Sequence, residues 1–332
     1  MGAERPSVSW VIPVRDGSRT LRQAVESALD DSLPMDEIVV VDDGSIDHPE
    51  RVLPCDSRLR VIKQSKKGIV AALERGRGAA KREYIARLDA DDVVLPGRLQ
   101  AQLDALVADP HLAAVGGQAL IEPLDGPLAE GMVRYVEWVN GLEDLHREIL
   151  VESPLFHPAV TMRASALEDV GGYRSGDLPE DYDLWLRLVA NGWRIRNVAQ
   201  PVVRIRDRPD RLTRTDARYR RAAFRGCKME WLGQHWKDGP LEIAVWGGGR
   251  CGRHWTRWVE ERGHTLALVV DPFQVGKTRL GHRVQAPDAL QRIPVDRLIV
   301  AVGARGAREE IRAALASLQP EWVEGHHWFA VA

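Results

Sequence analysis

The sequence predicts an α/β protein: a mainly parallel sheet flanked by helices, followed by a second, smaller α/β unit. Three observations predict it. In the first half, strand-length apolar runs alternate with helical patterns over short links, the order of a parallel sheet. Those runs end in turns rich in acids and glycine, at the carboxyl ends of strands where such sheets bind ligands. Near Leu241 the composition changes, and a fresh strand, glycine turn and helix begin. A chain of 332 residues suggests about two domains. We divide it as 1–212, a basic amphipathic linking helix at 213–239, and 240–332.

Taken in order, Ser7–Val14 is a strand stopped by Pro13 and the Asp16-Gly17 turn. Thr20 with Gln23 forms a capping box for a helix whose apolar face is Leu21, Ala24, Val25, Ala28 and Leu29. Glu37–Ser45 is a fully apolar strand ending in Asp42, Asp43, Gly44 and Ser45. Arg60–Ile62 is a third strand. Gly68–Lys81 is an alanine-rich helix whose cations Arg75, Arg77 and Lys81, with Lys66 and Lys67 before it, either face the ligand rim or are simply solvated.

Tyr84–Leu99 organises the first half. Tyr84–Leu88 reads as a buried strand, and Leu99, Leu103, Leu106 and Val107 have the spacing of a helix opened by Pro96. Asp89, Asp91 and Asp92 therefore crowd the turn between them. Like charges raise one another's pKa unless a cation or a donor-rich ligand offsets them, so a divalent metal carrying a diphosphate would suit this turn. A solvated acidic turn with one acid as a local cap is the other reading. Beyond it lie a strand at Ala113–Val115, an irregular stretch with a helix around Val139–Leu150, and the segment His157–Trp193. Pro179 opens a helix there, lined by Leu184, Trp185, Leu188 and Val189 and closed near Gly192. Glu180, Asp181 and Asp183 occupy its first turn, where acids complement the helix dipole whatever else they do.

The basic stretch Thr213–Trp236 is either a helix packed on the first domain or a patch for an anionic membrane. Leu241–Trp255 then carries Gly247, Gly249 and Gly252 in G-x-G-x-x-G spacing, and a second strand ends in Asp271 about 24 residues after the first of them. This fits a Rossmann-like phosphate-binding turn and a second nucleotide site. The unit is small, roughly 90 residues, and such glycines also serve tight strand-to-helix packing.

Net charge of -2 and pI near 6.6 exclude a general nucleic-acid binder. Three scattered cysteines, Cys55, Cys227 and Cys251, fit neither a disulfide framework nor zinc, and suit reducing, cytoplasmic surroundings. Glu4, Arg5 and Pro6 interrupt any leader-like run, and no stretch is apolar enough to span a membrane. A lipid-linked substrate would be met from the inner face of the membrane, as a peripheral contact.

Four segments, IPVRDG near the start, VVVDDGSID, YIARLDADD and PEDYDLWLRL, occur in order over about the first 215 residues. Together they resemble the inverting family 2 glycosyltransferases of GT-A fold. The resemblance implies that Asp43 reads the nucleotide base, with Pro13 and Arg15 beside it. Lys67, Arg75, Asp89 and Asp91 would complete the donor site, and Asp91 and Asp92 would hold Mg²⁺ or Mn²⁺. Asp181 of the Glu180-Asp181 pair would be the general base. His157 is an acceptor-pocket residue or a structural histidine, and Trp185 a sugar platform or core. Two departures stand out: Glu74 and Arg75 fall where many relatives carry asparagines, and Val202–Arg214 has no histidine, leaving Arg206 or Arg208 as a substitute cation.

The resemblance implies a metal-assisted, inverting transfer of a hexose from a nucleotide-sugar, UDP-linked, to a saccharide or lipid-linked acceptor in surface polysaccharide or lipopolysaccharide synthesis. Two alternatives remain at this point: a non-catalytic sugar-nucleotide-binding or scaffolding protein, and an NAD(P)-linked oxidoreductase built on the C-terminal glycines.

Overall fold

A computed structural model describes residues 5–332; Glu4 lies outside them. The chain separates into two units, one of residues 1–146 and 153–227, the other of residues 147–152 and 228–332.

The first unit is built on an eight-stranded sheet. Its strands are β1 (Val8–Val14), β2 (Glu37–Asp43), β3 (Leu59–Gln64), β4 (Tyr84–Arg87), β5 (Val93–Val94), β6 (Leu112–Pro123), β7 (Thr161–Arg163) and β8 (Arg194–Asp207). They lie in the order β3-β2-β1-β4-β7-β6-β8-β5. The first four pair in parallel, β7 runs antiparallel between β4 and β6, and the two-residue β5 adds antiparallel to β8. Because β1 and β2 are parallel with Val14 opposite Asp42, the turns after β1, β2 and β4 open on one rim. Buried Trp10, Ile12, Ile38 and Val40 pack against Leu21, Ala24 and Val25 of helix α1 (Ser18–Asp30). Helix α2 (Ile69–Ala79) lies close on the sheet at Gly76, where a β-carbon would come 2.3 Å from Val11.

Several elements differ from expectation, each for a local reason. Thr20 and Gln23 do not cap α1; the helix starts at Ser18, whose N–H is met by Asp47 at 2.7 Å from a distant loop. Pro96 precedes rather than opens the next helix, α3 (Arg98–Ala108), which begins after Gly97 in the left-handed region. The strand expected at Ala113–Val115 runs on to Pro123, because Gly116 and Gly117 give room to Asn197 and Val202 of β8 instead of ending the strand. The helix expected around Val139–Leu150 is two, α4 (Glu130–Asn140) and α5 (Leu145–Glu148). The Asn140 amide ends the first by bonding both the N–H and the carbonyl of Ala119 at 2.9 Å. Next come α6 (Ala164–Asp169) and α7 (Glu180–Ala190), the latter with Pro179 at its N-cap as expected. The single linking helix is instead α8 (Leu212–Thr215), a turn at Ala217–Tyr219 and α9 (Arg221–His235). Asp216 makes the break by accepting from the Arg218 N–H at 2.9 Å.

The second unit has a six-stranded sheet. Around it run β9 (Glu242–Trp246), α10 (Arg250–Glu261), β10 (Thr265–Val270), β11 (Thr278–Arg279), β12 (His282–Gln285), β13 (Arg297–Val300), α11 (Ala307–Leu318) and β14 (Trp328–Ala330). The order is β11-β12-β10-β9-β13-β14, all parallel except the short β11. Buried Trp255, Trp258 and Val259 of α10 and Leu315 of α11 belong to its core. No helix among the described residues is long and apolar enough to cross a membrane.

Candidate active site

Asp89, Asp91 and Asp92 follow β4 on the shared rim, with one ligand oxygen of each within 4.8 Å of the others. Three arginines already answer them. Arg87 bonds Asp89, Arg208 bonds Asp91 at 3.0 Å, and Arg211 lies 3.4 Å from Asp89 and 3.8 Å from Asp92. Asp92 is sealed in, with Oδ1 accepting from the Arg206 N–H at 2.9 Å and Oδ2 without a partner. Burial pushes its carboxyl well above the usual carboxylate range against the pull of Arg211, and its two acidic neighbours push the same way. Burial acts on Asp89 too, but Arg87 and Arg211 outweigh it and hold that group low. A hard divalent cation fits here: the donors are carboxylate oxygens, and one buried oxygen has no proton donor facing it.

The position of this turn is set by Arg98 at the start of α3, which is wholly buried. Its guanidinium donates to the carbonyls of Arg87 (2.7 Å), Pro158 (2.8 Å) and Val160 (3.0 Å) and lies 4.9 Å from the Trp10 ring centroid. Burial lowers it to about 9. One side chain thus ties the residue before the acidic turn to the His157 segment.

A second acidic group stands at the N-terminus of α7. The Glu180 carboxylate accepts from the Tyr219 hydroxyl at 2.9 and 2.7 Å and lies 3.9 Å from His157. Its carboxyl is raised by burial against that hydrogen bond. Asp181 is half-buried and accepts from its own helix, at the Tyr182 N–H (2.7 Å). Burial, and then the charge of Glu180, push its carboxyl up to about 7. His157 is buried, bonded to the Tyr173 hydroxyl at 2.8 Å, and held well below the usual imidazole range by burial and by Arg87, so it is neutral. Arg87 links the two groups: it bonds Asp89, and its charge is felt at Glu180, Asp181 and His157.

The remaining expected residues are distributed as follows. Pro13 lies in β1 opposite Val41, and Arg15 is exposed, 3.7 Å from Asp16. Asp43 ends β2 and accepts from Gln64 (2.7 Å) and from the N–H groups of Lys67 and Gly68 (2.8 Å each); Oδ2 keeps one lone pair. The Lys67 side chain is exposed on this rim. Arg75 is exposed, and Arg77 and Lys81 belong to the far end of α2, because a crossover helix returns toward the opposite rim. Glu74 pairs with Arg77 at 2.8 Å and accepts from the Tyr173 N–H at 2.7 Å, so it braces the turn carrying that tyrosine. Trp185 has no exposed surface and is core, edge-on to His157, which removes it as a sugar platform.

In the second unit, Gly247 has φ 129°, and a β-carbon on Gly252 would meet the Gly247 carbonyl oxygen at 1.7 Å. These two glycines are explained by the packing of α10 on β9. Asp271 accepts from the N–H groups of Gly248 (2.8 Å) and Phe273 (2.9 Å) and from Gln274 (2.8 Å), so the carboxylate expected to meet a ribose is turned onto its own loop. Gly249 opens α10 with free space where a β-carbon would stand.

Arg87, Tyr173, Arg211 and Tyr219 were not anticipated. An arginine inside the short buried run Tyr84–Leu88 was the one available signal. Arg211 and Tyr219 lie past every motif, and only the path of the chain after β8 brings them back.

The mixed, mainly parallel sheet with acids on its rim is consistent with a GT-A type of fold. Residues 9–171 match the model of glycosyl transferase family 2. The chain is 30% identical over 224 residues to EpsE of Bacillus subtilis (strain 168), a protein with a glycosyltransferase name, covering 64% of this chain and 78% of EpsE. It is 28% identical over 208 residues to the Escherichia coli UDP-Gal:alpha-D-GlcNAc-diphosphoundecaprenol beta-1,3-galactosyltransferase, covering 60% of this chain and 73% of that one. It is 26% identical to the amylovoran biosynthesis glycosyltransferase AmsE of Erwinia amylovora, over 58% of this chain and 72% of the relative. Among solved structures, S. aureus TarS 1-349 in complex with UDP-GlcNAc superposes with a TM-score of 0.51 at 16% identity, over 70% of this chain and 73% of that one, a likeness of fold. The chain belongs to glycosyl transferase family 2.

Proposed function

We propose that this protein is an inverting hexosyltransferase that takes its sugar from a nucleotide diphosphate donor, UDP-linked, and passes it to a hydroxyl of a saccharide or lipid-linked acceptor during surface polysaccharide synthesis. The observation that carries this reading is Asp181: a half-buried carboxyl raised to about 7, joined through Arg87 to an acid cluster on the ligand rim. A group with that pKa is free to accept a proton near neutrality and holds it well enough to take it from a hydroxyl under attack. The donor class is supported by the UDP-Gal in the name of the E. coli relative and the UDP-GlcNAc bound to TarS.

In this reading Asp43 takes the uracil N3–H on the lone pair that Oδ2 retains, with Pro13 and Arg15 at the same rim. Asp91, and Asp92 through its partnerless Oδ2, hold Mg²⁺ or Mn²⁺, while Asp89 stays committed to Arg87. The bound ion would act as a Lewis acid on the departing diphosphate. Arg208 and Arg211 answer the same acids from the histidine-free segment and would supply positive charge for a donor diphosphate beside them. Asp181 removes the acceptor proton in a single displacement, so no covalent glycosyl intermediate is needed. Glu180, anchored by Tyr219, keeps Asp181 basic by like-charge repulsion.

Replacing Asp181 by Asn tests it: transfer should fall about 10²–10⁴-fold, with donor affinity, measured calorimetrically with Mn²⁺, unchanged. Equal loss of both would remove the base from Asp181. Donor binding by the wild type without UDP release or transfer to any acceptor would favour a binding or scaffolding protein instead.

A further inference from the structure

The loop between β10 and β12 in the second unit carries three apolar side chains that reach solvent. Phe273 is 88% exposed, Val275 55% and Leu280 36%. They fall within nine residues, in an excursion pinned at its base: Gly276 donates to the Val284 carbonyl and Val284 to that of Lys277. Leu280 is the most informative. Arg279 pairs with His282, so Leu280 and Gly281 form a two-residue hairpin turn, both with positive φ (48° and 83°). Such turns select Asn-Gly, and a leucine in that region costs roughly 1–2 kcal/mol. The turn still leaves Leu280 36% exposed beside the far more exposed Phe273, and a strained residue next to exposed apolar side chains points to a use outside the fold.

Charge identifies the occupant. Residues 272–285 hold Lys277, Arg279 and Arg283 and no acid. Arg279 turns inward to Gln274 and the Gly248 carbonyl, while exposed Lys277 and Arg283 pair with no carboxylate among the described residues. An aromatic and two aliphatic side chains interleaved with free cations match the boundary of an anionic bilayer, where apolar groups enter the acyl edge and cations meet headgroup phosphates. We propose that the hairpin loop 272–281 is a membrane-contact element that seats this protein on an anionic lipid surface. The contact is independent of the catalytic reading above.

The test is co-sedimentation of the full chain with vesicles of phosphatidylcholine alone or mixed with phosphatidylglycerol. Wild type should bind the mixed vesicles and bind the neutral ones far less. Phe273→Ser should weaken binding at least roughly tenfold, and Lys277→Gln and Arg283→Gln roughly fivefold each. Leu280→Asn controls for folding: asparagine tolerates the turn, so its melting temperature should equal or exceed the wild-type value while vesicle binding falls. Asp181→Asn should bind vesicles as wild type does, which separates this proposal from the one on catalysis. Equal binding to both vesicle types, or no loss in the Phe273 and Leu280 variants, would overturn it. So would a concentration-dependent dimer in sedimentation that Phe273→Ser abolishes, since the patch would then be a contact between copies.

Discussion

Asp181 and Asp92 are carboxyls that burial drives upward, and the consequence for pH runs in two directions. For catalysis, the base must be unprotonated, so transfer should rise with pH through about 7 and level above it, with an apparent pKa belonging to the Glu180-Asp181 pair. Tyr219 sets that value indirectly. Its hydroxyl favours the charged form of Glu180; with Tyr219→Phe, Glu180 protonates more readily, repels Asp181 less, and the acid limb of the rate profile should move to lower pH. A limb that stays in place would show that Glu180 does not tune the base. For stability, Asp181 binds more proton in the folded chain than in the unfolded one between about 4 and 7, so its own contribution to stability falls as pH rises across that window. Asp92→Asn keeps the acceptor for the Arg206 N–H and removes the buried charge. It should therefore raise the melting temperature at neutral pH while weakening Mn²⁺ binding, a stability gained at the expense of the site.

Several elements hold the site, and sequence reveals them unequally. The ends of β1, β2 and β4 were legible because apolar runs closing on Asp42-Asp43 and Asp89-Ala90-Asp91-Asp92 are local patterns, and α7 was legible through Pro179, Gly192 and its apolar stripe. β5 was not: two valines following three acids form a strand only because β8 passes beside them. The Arg98 clamp was equally hidden, since nothing near Pro96-Gly97-Arg98 announces that three carbonyls from two distant segments converge there. Arg98→Met would keep the bulk and leave those carbonyls short of a donor, at a cost of roughly 3 kcal/mol. Urea unfolding should show a lower midpoint with an unchanged slope. The segment after β8 brings Arg208 and Arg211 to the acids and Tyr219 to Glu180. Arg208→Ala should therefore tighten Mn²⁺ binding in the absence of donor, because it removes the cation that competes for Asp91; unchanged affinity would mean that Asp91 is not a ligand.

At the scale of the whole molecule, the chain joins a family 2 glycosyltransferase unit to a small parallel-sheet unit with a different use of its glycines. The G-x-G-x-x-G spacing suits a phosphate turn or tight strand-to-helix packing, and Gly247 and Gly252 meet the second demand, with Asp271 engaged by its own loop. Spacing alone carries both meanings, and the approach of the Gly247 carbonyl to residue 252 accounts for the glycine there under either. The account as a whole rests on the division of labour in the first unit between acids that hold the donor and one that takes the acceptor proton. The most direct test is to measure donor affinity and turnover together, with Mn²⁺ and a UDP-sugar, for the wild type, Asp91→Ala and Asp181→Asn. The account predicts that Asp91→Ala loses binding and turnover alike, while Asp181→Asn binds the donor as the wild type does and turns over about 10²–10⁴-fold more slowly. Turnover of Asp181→Asn at the wild-type rate would contradict it.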